Sequence, residues 1–195
     1  MTQKRRFGTE NSATRTIILD ATVKLLVEEG YAAVTTRRVA ERAGIKAPLI
    51  HYYYKTTEDL LTAVYRRSAE QSVQRHSEAM ARGDVLQALW DINIDSQHTA
   101  QALEFLAMAN HRKFIQEEIA RYAEQIRAIQ IVALDRFFRG HGLEAPPIPS
   151  AALSVIVAGI ARALVLESGV GIDLGHVETR EVVEGYLLGL AKATA

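Results

Sequence analysis

The 195 residues are enough for one large domain or two small ones, and with 48% of them hydrophobic a true core can form. The chain has no cysteine, which excludes disulfides and cysteine-held zinc or iron–sulfur centres and is compatible with a reducing compartment. Lysine plus arginine balances aspartate plus glutamate at 23 each, yet residues 1–55 carry 10 bases against 5 acids and residues 56–195 carry 13 against 18, a segregation that suits a basic nucleic-acid-binding head on an acidic body.

No signal-peptide apolar run follows the opening MTQKRRFGTENSATR, so a cytoplasmic protein is expected. Helical periodicity dominates and no stretch alternates like a half-buried strand, which predicts an all-α fold. A first helix is expected from Ser12 to Glu29, with Ile18, Ala21, Thr22, Leu25 and Leu26 on one face and Gly30 as its stop. Thr35 or Thr36 caps a second short helix whose Val39, Ala40 and Ala43 face inward, and Gly44 makes a turn. A third helix starts near Ala47-Pro48, where proline costs no intrahelical bond, and ends near Tyr53. Helix, tight turn and helix form a helix-turn-helix, whose second helix can enter the DNA major groove. Ile18, Leu25, Val34, Val39, Ala43 and Ile45 are the expected core of this head.

Thr56 and Thr57 before Glu58 and Asp59 mark the start of a fourth helix running to about Ala81. Gly83-Asp84 breaks and recaps the chain for a fifth helix to about Asp95. A sixth spans about Thr99–Ala109, and the longest runs from about Arg112 to Arg139. The loop Ala145-Pro146-Pro147-Ile148-Pro149 follows. Ser150 is the expected cap of an almost wholly apolar helix to Glu167, which contains Arg162, falls short of the ~20 residues of a membrane span and should need cover on every side. A last helix covers about Val177–Lys192. The expected organisation is a head over residues 1–55 and a body over 56–195.

Several groups around the third helix can reach phosphate: Thr36 and Arg37 at the start of helix two, Lys46 in the turn, and Tyr52 and Tyr53, whose rings pack on protein while a hydroxyl bonds a phosphate oxygen. Ala47 and Leu49 offer apolar contact to thymine methyls, and His51 suits a phosphate or a base edge. Three adjacent residues cannot share one helix face, so Tyr54 is assigned to the core.

Residues 14–61, TRTIILDATVKLLVEEGYAAVTTRRVAERAGIKAPLIHYYYKTTEDLL, resemble the DNA-binding domain of the TetR family of one-component regulators. The resemblance rests on Ile18-Leu19-Asp20-Ala21, Gly30-Tyr31, the Ala-x-x-Ala-Gly-Ile ending at Ile45, and Tyr52-Tyr53 followed by Glu58-x-Leu60, and covers about a quarter of the chain. Arg38 stands where the family usually has an acid, His51 where it has tyrosine, Tyr54 where it has phenylalanine, and Thr57 where a phosphate-contacting lysine is common. Lys55 is the nearest replacement charge. The resemblance implies double-stranded operator DNA, a small-molecule effector and a homodimer as partners; the apolar residues of the body point to a hydrophobic small-molecule effector, and no catalytic residue, metal or cofactor is expected. It also implies that Lys4, Arg5 and Arg6 form an arm along DNA; a solubilising tail is the other reading.

Trp90, Ile94, Phe105, Leu106, Met108, Phe114 and Tyr122 are the apolar candidates for an effector pocket. Asn93, Glu104, Asn110, His111 and Arg162 are its polar ones. Ala158 on the apolar helix and Val182, Tyr186 and Gly189 on the last, beside Gly185, are the expected dimer contacts. Two other classes stay open: a constitutive DNA-binding dimer without effector, and a helical enzyme or metal protein using His98, His111 and Glu104. The latter lacks a His-Glu-x-x-His pattern, a phosphate loop and a nucleophile elbow.

Overall fold

The computed structural model describes residues 13–142 and 146–193; Ser12, Ala145 and the Lys4–Arg6 stretch lie outside them. Among the described residues the chain forms α1 (Ala13–Glu29), α2 (Thr36–Ala43), α3 (Ala47–Tyr53), α4 (Thr57–Met80), α5 (Val85–Ile94), α6 (Ser96–Ala109), α7 (Lys113–Gly140), α8 (Ser150–Ser168) and α9 (His176–Ala193). No strand occurs among them. A short 3₁₀ turn at Tyr31–Ala33, which periodicity does not reveal, leads from α1 to α2.

The described residues fall into two compact units. One runs to Ser68 and includes Glu104–Glu118; the other takes Ala69–Leu103 and the chain from Ile119 onward. In the first unit α1 buries Ile18, Leu19, Ala21, Thr22, Leu25 and Leu26, a stripe at helical spacing. Thr22 stays satisfied by donating to the Ile18 carbonyl at 2.8 Å. Val34, Val39, Ala40, Ile50 and Tyr54 complete this core, joined by Leu60, Leu61 and Val64 of α4. Ala43 and Ile45 are only half-buried. The deeper anchor that periodicity missed is Ile50, fully buried at the middle of α3.

Caps set the helix starts. The Thr35 hydroxyl accepts from the Arg38 amide and caps α2. Thr56, not Thr57, caps α4: its hydroxyl accepts from the Asp59 amide at 3.0 Å while the Asp59 carboxylate accepts from the Thr56 amide at 3.0 Å. This reciprocal box places Thr57 one position inside the helix. Asp95 caps α6 through the His98 amide, which starts that helix at Ser96, three residues earlier than spacing suggests. Ser150 is not a cap either. Pro149 occupies that position, and the Ser150 hydroxyl is buried without a partner.

In the second unit α5 packs against α8 and α9. Leu86, Leu89 and Trp90 of α5, Leu134 and Phe138 of α7, Leu153, Val157, Ala161 and Leu164 of α8 and Val183, Leu187 and Leu190 of α9 form one apolar cluster. Trp90 donates its indole N–H to the Glu184 carboxylate at 3.0 Å, satisfying its one polar atom. The expectation that α8 is covered on every side does not hold within one chain. Its other face leaves Val155, Ile156 and Leu166 about half exposed.

His76 on α4 is buried and directs Nδ1 to the Ser72 carbonyl at 2.8 Å. Burial pushes its pKa below the ordinary 6.5, only partly opposed by the Ser72 bond. A histidine held neutral in the fold contributes stability above pH 6.5 and loses it as pH falls further, because the unfolded chain then binds the proton more readily. The urea midpoint should therefore drop between pH 7 and pH 5.5, and the drop should be smaller in His76→Gln. Parallel curves for the two proteins would show that His76 carries none of it.

Candidate nucleic-acid interface

The geometry of the head follows from how α3 is held. Gly44, at φ 66°, reverses the chain in the left-handed conformation glycine tolerates, and the Ile45 amide donates to the Ala40 carbonyl at 3.0 Å. Ile50 and Tyr54 then pin α3 from below, while Leu49 is 37% and Tyr52 51% exposed on its outer side. Burial raises the Tyr54 phenol pKa, and its hydroxyl accepts from Arg15 Nε of α1 at 3.1 Å.

Around that outer face the candidate residues separate by exposure. Arg37, Lys46, His51 and Lys55 are exposed; Thr36, Ala47, Tyr53 and Thr57 are half-buried. Tyr52 and Tyr53 meet edge to face, ring centroids 5.2 Å apart, which orients both rings. Thr57 brings the first turn of α4, with its outward amides, into the same chain segment.

Arg38, out of pattern as a base, is accounted for by α1. Its guanidinium donates to Glu29 at 2.6 Å, and Arg42 donates to Glu28 and Glu29. The Arg38 bond holds the Glu29 carboxyl below its ordinary range. These exposed pairs fasten α2 to the end of α1 and engage two of the three arginines of α2; among the described ion pairs Arg37 has no acid. Spacing alone could not assign these roles, because the acids lie 9 to 14 residues away on another helix.

The pocket candidates do not all share a unit. Phe105 and Met108 are buried in the first, where Tyr65 packs edge-on against Phe105 at 5.0 Å. His111 is exposed. In the second unit Trp90 belongs to the apolar cluster, with Ile94 packed against it. Asn93 donates to the Leu89 carbonyl at 2.8 Å, and the buried Tyr122 donates its hydroxyl to Glu70 at 3.3 Å. Arg162 is half-buried on α8. Among the described residues no three His, Asp or Glu side chains converge to hold a metal; His98 instead contacts Asp95 at 2.8 Å.

Of the dimer candidates, Val182, Tyr186 and Gly189 line the exposed side of α9. Ala158 is buried inside its own chain, because it lies on the α8 face that packs into the cluster. The apolar residues that α8 exposes are Val155, Ile156 and Leu166.

Residues 18–64, which contain α2, α3 and the α3–α4 junction, match the family model described as bacterial regulatory proteins, tetR family. Over these residues the chain matches the TetR family. It is 31% identical over 61 residues to the fatty acid metabolism regulator protein of Bacillus subtilis, a match that spans 31% of each chain. The likeness in fold extends over nearly the whole molecule: GusR of Salmonella enterica superimposes with a TM-score of 0.73 at 16% identity, covering 94% of this chain and 98% of its own. FadR of Bacillus subtilis, solved in complex with stearoyl-CoA, superimposes with a TM-score of 0.62 at 18% identity over 92% of this chain and 94% of its own. Both Bacillus subtilis proteins are named as regulators.

Proposed function

We propose that this chain is a homodimeric transcriptional regulator of the TetR family that represses by binding double-stranded operator DNA and is released by a hydrophobic small molecule. The carrying observation is the exposed side of α3, with Arg37, Lys46, His51 and Lys55 exposed on it and on the segments next to it in the chain, while Ile50 and Tyr54 are buried. A short rigid helix with apolar and hydroxyl-bearing side chains outward reads base edges, while its basic rim sets register on phosphates. Tyr52, Tyr53 and the first turn of α4 at Thr57 supply neutral phosphate donors.

The apolar outer faces of α8 and α9 support a twofold partner. By length and composition α8 is apolar enough to cross a membrane. Its inner face, however, packs in the cluster with α5, α7 and α9, so a second copy of the chain is the better cover for Val155, Ile156 and Leu166, and the protein works in the cytoplasm. A hydrophobic effector is supported by the stearoyl-CoA in FadR. Effector binding in the body would shift α4 and change the separation of the two heads, and half-sites tolerate few separations.

The test is a DNA-shift assay on the region upstream of the chain's own gene, with fluorescence anisotropy over a salt series. Arg37→Ala should weaken binding to every duplex and lower the salt slope by about one for the lost phosphate contact. Tyr53→Phe should also weaken binding across sequences. Failure of the wild-type chain to retain any duplex at low salt would defeat the proposal, and an unchanged slope would remove Arg37 from the interface.

A further inference from the structure

Several arginines of this chain are paired with acids distant in the sequence. Arg66 faces Glu118, Arg67 faces Asp20 and Arg75 faces Asp95, besides Arg38 and Arg42. Arg127 on α7 and Arg162 on α8 differ from these: among the described ion pairs neither has a carboxylate. Instead Arg127 donates from Nη1 to the Ser154 hydroxyl at 2.9 Å, and that hydroxyl donates its own hydrogen bond to Gln130 Oε1. Ser154 is fully buried and Gln130 is 2% exposed. Two buried polar side chains in an otherwise apolar α7–α8 contact thus orient one guanidinium without neutralising it.

Arg162 lies two turns beyond Ser154 on α8. Partial burial, and after it the Arg162 charge, lowers the Arg127 pKa, so the two half-buried cations repel. Among the described hydrogen bonds one N–H of the Arg127 fork is committed, to Ser154, and the other four lie in a planar array that matches the two oxygens of a carboxylate or phosphate.

We propose that Arg127, tethered by Ser154 and Gln130 and assisted by Arg162, receives the anionic head of the effector, a carboxylate or a phosphate on an apolar body. This rests on the effector-binding reading above and narrows its chemistry.

The test is calorimetric titration of the full-length chain, without DNA, with decanoate, decyl phosphate and the uncharged decanol. Either anion should bind at least tenfold more tightly than decanol, and the tighter of the two identifies the head group. Arg127→Met should abolish that preference while leaving decanol binding unchanged. Arg162→Met, which removes no tether, should reduce it several-fold and serves if Arg127→Met does not fold. Failure of wild type to prefer either anion, or an unchanged preference in both variants, overturns the proposal. So does a loss of dimer mass in both variants with ligand preference intact, which would assign the arginines to carboxylates of the partner. Release of operator DNA is measured separately. Arg127-dependent anion binding with no effect on DNA would defeat the repressor reading alone, and DNA release by decanol but not by the anions would defeat this inference alone.

Discussion

Replacing Ile50 by alanine is expected to remove about 2–5 kcal/mol from the stability of the head, the range for emptying a fully buried isoleucine site, and to abolish specific DNA binding. The reason is the weakness of α3 as an isolated object. It has seven residues, under two turns, and no side chain caps its start at Lys46. A helix that short does not persist in water on its own propensity. Its placement comes from the turn at Gly44 and from what it buries, and the fully buried contact is Ile50 at its centre, with Tyr54 just after its end. Removing Ile50 therefore loosens the element that must reach DNA. Urea denaturation followed by circular dichroism should show a lower midpoint for Ile50→Ala. Ile50→Val should lose about 0.5–1.5 kcal/mol and keep most DNA affinity. The exposed Leu49→Ala should leave stability within about 0.5 kcal/mol while altering sequence preference. An Ile50→Ala protein with wild-type midpoint and affinity would show that α3 is held some other way.

How legible this was in the sequence depended on how local the signal was. The stripe on α1, the stop at Gly30 and the turn at Gly44 are written in neighbouring residues and could be read directly. The cap at Asp95 is local too, but a polar start to α6 concealed it. Ile50 was missed because a seven-residue helix offers no period to count, and because attention to the groove-facing side obscured the residue between Leu49 and His51. For α8 the apolar composition was plain, yet composition does not say which face its own chain covers. Arg127, Gln130 and Ser154 are ordinary residues in isolation. The visible hint was a serine inside the apolar run of α8, but its partners lie 24 and 27 residues away and only folding brings them together.

Introducing a charge on the outer face of α9 should have the second large effect. Val182 is 71% exposed and Tyr186 48% exposed in one chain, so Val182→Asp should leave the folded protomer intact, with a stability change within about 0.5 kcal/mol. In a twofold interface the same substitution is buried twice. An uncompensated buried charge costs several kcal/mol, so the dimer should weaken by at least about 100-fold, which sedimentation equilibrium resolves. Affinity for a two-half-site operator should fall with it, since each head alone holds only one half-site. The glycines of α9 give an independent sign test. A Cβ added at Gly185 or Gly189 would meet nothing within 4 Å inside the chain. In a monomer, Gly189→Ala should therefore stabilise the helix by about 0.5–1 kcal/mol, because glycine is the poorer helix former. Against a partner helix approaching closely, the same methyl group should weaken association instead. Both substitutions probe one surface by different physics, one through charge and one through a single carbon. A chain in which Val182→Asp sediments as wild type and Gly189→Ala is more stable would place the dimer contact away from α9.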